Sequence, residues 1–306
     1  MGMSQSYGNR DDRESSKTLR HALDQGVNFL DTADIYGEGH NEAMVGAVVR
    51  ERRHEVVLAT KFGFVTRDSK LEIDGSPEYV RQACDASLRR LRLEVIDLFY
   101  LHRVDPRIPI EDTIGAMAEL ARAGKVRFLG LSEVSAATLR SAHRIYPITA
   151  VQSEYSLVTR DPEQEILPAC RELGVAMVPF CPLGRGLLTG QIQYAKPFAG
   201  TDARHHLPRF QGKNLRRNLE LARRFESIAA EKGCRPPQLA LAWLLAKGAD
   251  LVPIPGAKKR GHLDENIAAL TVELTASDLE RIETAMPPGA VAGERHNEDA
   301  MRFIDR

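Results

Sequence analysis

The chain predicts a closed barrel of parallel strands wrapped by helices, and three observations carry that reading. Short, nearly all-apolar runs of strand length recur along it, helix-like runs stand between them, and no Ser/Gly-rich or low-complexity linker interrupts the alternation. Strand–helix alternation means a parallel sheet. Strands without a polar face mean a sheet covered on both sides. Seven such units spread over 306 residues favour a closed barrel over a doubly wound sheet, in one domain spanning 1–306.

In chain order, the predicted strands are Val27–Leu30, Glu55–Thr60, Ile96–Leu101, Val126–Leu131, Ala150–Gln152, Ala176–Phe180 and Leu251–Ile254. The helical patterns between and around them are Glu14–Gln25, Glu42–Arg50, Pro77–Arg92, Ile110–Arg122, Ala136–Arg144, Pro162–Glu172 and Leu215–Ala246. The last is read as two helices, broken between Gly233 and Pro237. Ser76-Pro77 places an N-cap before a proline at the first helical position. Gly124, Gly174 and Gly248 fall where helices should stop. Trp243, spaced helically with Leu239, Leu241 and Leu245, reads as core.

Composition excludes several roles. Forty-two basic residues balance 42 acidic ones, and a phosphate backbone calls for a basic excess, so nucleic acid is not the expected partner. No apolar run approaches the roughly 18 residues of a membrane span, and residues 4–18 are too polar for a signal peptide. Cys84, Cys170, Cys181 and Cys234 are scattered without a C-x-x-C, which fits a reducing cytoplasm and no zinc or disulfide framework.

The chemistry lies where the strands end, because a parallel barrel builds its site at the C-terminal ends of its strands. The first run closes with Asp31, the second with Lys61, the third with His102, and later ones with Ser132, Gln152 and Phe180. Tyr36 sits in the loop after the first. Each has an ordinary reading alone: a cap, a solvated lysine, a structural histidine, a packed ring. Together, on neighbouring strand ends, they converge on one mouth. A lysine ammonium favours phenolate and lowers a tyrosine pKa, an aspartate keeps that lysine charged, and a histidine can hydrogen-bond a substrate oxygen. The set is a general acid for an alkoxide forming from a carbonyl, with hydride donation left to a cofactor.

Seven segments carry a resemblance: GVNFLDTADIYGEGHNE (26–42), LATKFG (58–63), DLFYLHRVDP (97–106), GKVRFLGLSE (124–133), AVQSEYSL (150–157), PFCPLGRGLLTG (179–190) and DENIAAL (264–270). In these the chain resembles an aldo-keto reductase from Gly2 to about residue 285. The resemblance implies a TIM-type (β/α)8 barrel and NADPH bound without a Rossmann domain. It places the catalytic Asp, Tyr, Lys and His on Asp31, Tyr36, Lys61 and His102. It places the carboxamide contacts on Ser132 and Gln152, ring stacking on Phe180, and the pyrophosphate turn on Leu183, Gly184 and Gly186. Its adenosine-phosphate site corresponds to Gly256, Lys258, Lys259, His262, Glu265 and Asn266. Where the family often has Asn after the serine, this chain has Glu133.

The implied activity is NADPH-dependent reduction of aldehydes or ketones. Two rivals share the fold: a non-catalytic cofactor-sensing or regulatory subunit, and a metal-dependent hydrolase, for which no clustered ligand set is present in the sequence. The substrate and oligomeric state are not encoded in readable form. The segments 63–76, 103–110, 192–218 and the tail after 286 read as loops. Residues 204–217, RHHLPRFQGKNLRR, read either as a solvated basic loop and helix start or as a segment folding over cofactor phosphates. At the start, Met1–Ser6 fit the myristoylation pattern M-G-x-x-x-S by chance. Met1–Ser4 are read as the remaining end of an eighth barrel strand, from which the expectation is a shortened chain or a poorly stable monomer.

Overall fold

The computed structural model describes residues 1–195 and 198–305. Lys196 and Pro197, inside the predicted loop 192–218, and Arg306 in the tail lie outside the described residues. In order, the chain runs α1 (Asp12–Asp24), β1 (Phe29–Asp31), α2 (His40–Glu51), β2 (Val57–Phe62), β3 (Phe64–Arg67), β4 (Lys70–Ile73), α3 (Pro77–Leu91) and β5 (Ile96–Leu101). There follow α4 (Ile110–Arg122), β6 (Val126–Ser132), α5 (Ala136–Ile145), β7 (Ile148–Glu154), α6 (Ile166–Leu173) and β8 (Ala176–Phe180). The C-terminal part is helical: α7 (Gly212–Glu231), α8 (Pro236–Leu245), α9 (Arg260–Ile267), α10 (Ala276–Ala285) and the short α11 (Glu298–Met301).

Six strands form one parallel sheet in the order β1-β2-β5-β6-β7-β8. Leu251 and Ile254 extend it through isolated parallel bridges to Met177 and Phe180. The sheet curls into the half-barrel of an α/β TIM-type fold. Every strand predicted from the sequence has a counterpart here, the first two shifted towards the C-terminus by one or two residues. Ser76 caps α3, its Oγ accepting from the amide of Tyr79 at 3.3 Å. Gly174 closes α6 in the left-handed conformation at φ 67°.

The two-residue period of a strand sorts the side chains into two cores. One set packs outward under the helices: Leu58, Phe62, Phe99, Leu101, Leu129, Leu131 and Val151 are buried there. The other set lines the barrel interior: Ala59, Leu98, Tyr100, Ala150 and Val178, with Phe29, Ala176 and Ile254 against them. Gly130 is required in that interior. A Cβ there would lie 2.4 Å from the Tyr100 ring, so glycine lets that ring fill the barrel. One step further along the same alternation come Asp31, Lys61, His102, Ser132 and Gln152, so the polar strand ends form the top layer of the interior stack.

Two expectations are corrected. Met1–Ser4 turn instead of ending a strand: the amides of Ser4 and Gln5 donate to the Met1 carbonyl at 2.9 and 3.1 Å. This turn is held by the segment after β1, where Gly37 N donates to Gln5 Oε1 at 2.9 Å and Asn41 Nδ2 to Ser4 Oγ at 2.8 Å. Residues 63–76, read as a loop, contain the antiparallel hairpin β3–β4, turning through Asp68 and Ser69 at φ 49° and 61°. In the basic segment 204–217 the predicted helix start is present, at Gly212, and the stretch before it is structured. It folds as two short 3-10 turns into α7, with Arg204 paired to Asp202 at 2.7 Å and Arg209 to Glu154 at 3.3 Å. Among the described residues no helix is long and apolar enough to cross a membrane.

Candidate active site

Four side chains from three successive strand ends meet at the top of the barrel. Lys61 is completely buried and forms a direct ion pair with Asp31. Its Nζ also donates to the Thr32 carbonyl at 2.7 Å and reaches the Tyr36 hydroxyl at 3.5 Å. Asp31 is held from the other side by Gln152, whose Nε2 donates to Oδ2 at 2.9 Å. The Tyr36 ring stands edge-on to His102, centroids 6.0 Å apart. Phe64 of β3 packs edge-on to the other side of His102 at 4.9 Å. The hairpin thus forms one wall of the mouth.

Burial governs the charges. On Lys61 desolvation opposes the ammonium, but Asp31 and Tyr36 together outweigh it and hold its pKa above the ordinary value. Burial pushes the Tyr36 hydroxyl up, and Lys61 offsets this only in part. Lys61 lowers the pKa as expected, but burial outweighs it, so the phenol is a weaker acid than free tyrosine and stays protonated at neutral pH. Burial, with Lys61 and Arg103 beside it, holds His102 well below its ordinary pKa, so its imidazole is neutral at neutral pH. Its Nδ1 is buried without a protein partner among the described residues.

The predicted cofactor residues divide into two groups. Ser132 Oγ, at the end of β6, accepts from Arg103 Nη1 at 3.3 Å, which leaves its own proton free to donate. Gln152 keeps its amide oxygen, and Phe180 ends β8 on the same rim. Gly184 and Gly186 take φ of 58° and 95° in the turn after β8, and a Cβ on Gly184 would lie 2.7 Å from Val158 Cγ2. After the neighbouring Leu251–Ile254 segment, Lys258 Nζ is occupied, donating to the carbonyls of Tyr7 and Asn9 at 2.7 and 2.8 Å. Lys259 is the N-cap residue of α9, exposed and unpaired with any carboxylate among the described residues. His262 lies in the first turn of α9, Glu265 pairs with Arg235 at 3.0 Å, and Asn266 is buried. Gly256 lies just before, in open space. A nicotinamide dinucleotide fits these residues: free donors and acceptors at the strand ends, a left-handed glycine turn, and an uncapped helix N-terminus.

A buried charged cluster beside Ser132 was not anticipated. Glu133, 2% exposed and at φ 55°, receives both arms of Arg295 at 2.9 and 2.5 Å and the amide of Glu154 at 2.7 Å. Its carbonyl accepts from the amide of Asp305, whose carboxylate in turn accepts from Ser135 N at 3.0 Å. Phe303 packs on Phe64 at 5.8 Å. The tail after 286 is thereby folded over the mouth. Glu154 pairs with Arg185 and Arg209. Burial works against its charge, and the arginines, Arg185 foremost, still bring its pKa to about 2. Alternation could have found Glu154, two residues after Gln152, and Arg103 stands beside His102 in the sequence. Arg295 carries no local signal.

Behind the site, Asp34 sits under the loop with its Oδ1 unpaired among the described residues. Burial, then Glu42, raises its pKa to about 7. The folded chain therefore holds a proton that the unfolded chain has released between about pH 4 and pH 7. Stability contributed by this proton is present below the unfolded pKa and is lost as pH rises towards 7. Asp34→Asn removes that dependence. Allowing for partial contact with water, it should be about 2 kcal/mol more stable than wild type near pH 8 and converge with it near pH 4. Urea unfolding across this range checks it; parallel curves for the two proteins would refute the assignment.

The parallel-barrel topology, with Asp31, Lys61 and His102 gathered at its strand ends, is matched by a family of carbonyl oxidoreductases. The chain belongs to the aldo/keto reductase family, whose sequence profile matches residues 1–286. It is 46% identical over 299 residues to the probable aldo-keto reductase 1 of Glycine max, covering 97% of this chain and 86% of that protein. Its structure is similar to a glycerol dehydrogenase of Gluconobacter oxydans, with a TM-score of 0.84 and 31% identity over 94% of this chain and 90% of the other. A thermostable aldo-keto reductase solved with the inhibitor epalrestat matches at a TM-score of 0.73 and 28% identity, over 92% of this chain and 93% of the other.

Proposed function

We propose that the chain reduces aldehydes or ketones to alcohols with NADPH, Tyr36 acting as the proton donor. The observation that carries this is the buried Lys61, paired with Asp31 and 3.5 Å from the Tyr36 hydroxyl. Bound reduced nicotinamide supplies the hydride to the carbonyl carbon. Tyr36 Oη gives its proton to the carbonyl oxygen as negative charge develops there, and His102, neutral and with a free ring nitrogen, orients that oxygen. The phenolate left behind is stabilised by the Lys61 ammonium, which Asp31 keeps charged. Because burial keeps the phenol protonated, reduction is expected to persist into alkaline pH.

Ser132 and Gln152 would hold the carboxamide, with Phe180 against the ring, the Leu183–Gly186 turn at the pyrophosphate, and the start of α9 at the adenosine phosphate. The reading places catalysis and cofactor on one domain, without metal. Loss of the reduced cofactor's absorbance with a panel of reactive aldehydes, ketones and quinones tests it. No turnover with any of them, despite tight NADPH binding, would leave a cofactor-binding subunit instead.

The cofactor preference follows from α9. With Lys258 committed to backbone carbonyls, Lys259 and the free amides of the first turn are the groups left for a 2′-phosphate. One charge-assisted contact is worth about 1.5–3 kcal/mol, so NADPH should bind about tenfold or more tighter than NADH. Lys259→Ala should narrow that gap more than Lys258→Ala. Equal affinity of the wild type for both cofactors, by fluorescence titration, would refute this.

A further inference from the structure

We infer that Arg103 anchors a carboxylate carried by the carbonyl substrate, which makes the preferred substrates oxo acids. Arg103 directly follows His102 at the end of β5 and is 8% exposed. Its Nη1 donates to the His102 carbonyl at 2.8 Å and to Ser132 Oγ at 3.3 Å. The opposite edge of the guanidinium is unpaired: Nε is buried without a partner, and Nη2 makes no hydrogen bond among the described residues. An Nε–Nη2 edge is the face that takes a carboxylate through two parallel bonds.

The surrounding charges leave this guanidinium without a counterion. Three neighbouring arginines, Arg185, Arg209 and Arg295, share two glutamates: Glu154 takes the first two and Glu133 the third. Arg103 pairs with no carboxylate among the described residues. A buried, uncompensated charge is costly, and arginine does not relieve that cost by releasing its proton. Burial accordingly pulls the Arg103 pKa down, with Glu133 only partly restoring it. An anion from outside completes the arrangement.

Position decides which molecule brings the anion. The guanidinium lies 5.8 Å from the Phe64 ring, and that ring also packs on His102, so Arg103 and His102 share one wall of the mouth. Its field is felt by both Tyr36 and His102. The proposed cofactor phosphate contacts are the left-handed Gly184–Gly186 turn and the start of α9, not the end of β5. The anion at Arg103 therefore travels with the carbonyl. This inference rests on the reductase reading proposed above.

The test compares NADPH oxidation by wild type with 2-, 3- and 4-carboxybenzaldehyde against benzaldehyde and methyl 4-formylbenzoate. At least one acid isomer should exceed the neutral aldehydes in kcat/KM by about tenfold to a hundredfold, mainly through KM. Benzoate should inhibit competitively against the aldehyde far more strongly than benzamide. Arg103→Gln should bring both ratios to about one, and Arg103→Lys should keep part of them. A merely structural arginine would change overall rate or stability and leave the ratios intact. If no aldehyde is reduced, the reductase reading falls and the inference with it. If neutral aldehydes are reduced as well as the acids and benzoate binds no better than benzamide, the inference alone falls. Ratios that persist in Arg103→Gln remove Arg103 as the anchor. Should that variant fail to fold, the wild-type ratios and Arg103→Lys decide.

Discussion

Tyr36→Phe should lower kcat by about 100-fold or more while NADPH affinity stays near wild type. The substitution removes one oxygen and keeps the ring, so the edge contact with His102 and the Lys61 ammonium over the ring, at 6.0 and 5.1 Å, remain. Neither depends on the hydroxyl, and the wall of the pocket is preserved. What disappears is the proton for the forming alkoxide. Single-turnover rates beside a cofactor titration separate the two effects. Near-normal turnover by this variant would remove Tyr36 from the role.

Lys61→Met should be damaging twice over. It strands Asp31 under the surface with Gln152 as its remaining side-chain partner, and breaking a buried pair from one side costs about 3–5 kcal/mol. It also strips the phenolate of its counter-charge, so kcat should fall by about 100-fold or more. The double variant Asp31→Asn with Lys61→Met should regain much of the lost stability, because no charge is left stranded, yet none of the lost turnover. Thermal unfolding and initial rates on the three proteins decide this. A single variant as stable as wild type would mean the pair is not what holds Asp31 in place.

The strand ends were legible because two regularities coincide. Apolar runs covered on both faces stand out against their surroundings, and a parallel barrel exposes only their C-terminal ends to a common space. Asp31, Lys61, His102, Ser132 and Gln152 could therefore be picked by position before any contact was known. The β3–β4 hairpin was not legible. Its turn runs through Asp68 and Ser69 with positive φ and no glycine, so the usual turn signal is missing. The protonation balance at Tyr36 also escaped, since spacing shows that Lys61 is near but not that burial outweighs it. The resemblance set Lys258 at the adenosine phosphate, yet Lys258 reaches back to carbonyls about 250 residues away in the chain, a pairing that local pattern cannot contain. The tail is the same case. Arg295 and Asp305 find partners 162 and 170 residues upstream.

Those long-range partners bear on which substitutions the chain can tolerate. Position 133 carries a buried carboxylate, and Arg295 answers it from the tail. Neither can drift alone. Replacing Glu133 by Asn leaves Arg295, 10% exposed, without its counter-charge, and replacing Arg295 leaves a carboxylate 1% exposed beside the site. Each single step crosses a stability deficit of about 3–5 kcal/mol, while the paired change restores neutrality. The two positions form one electrostatic unit, so a substitution at Glu133 should be tolerated only together with one in the C-terminal tail.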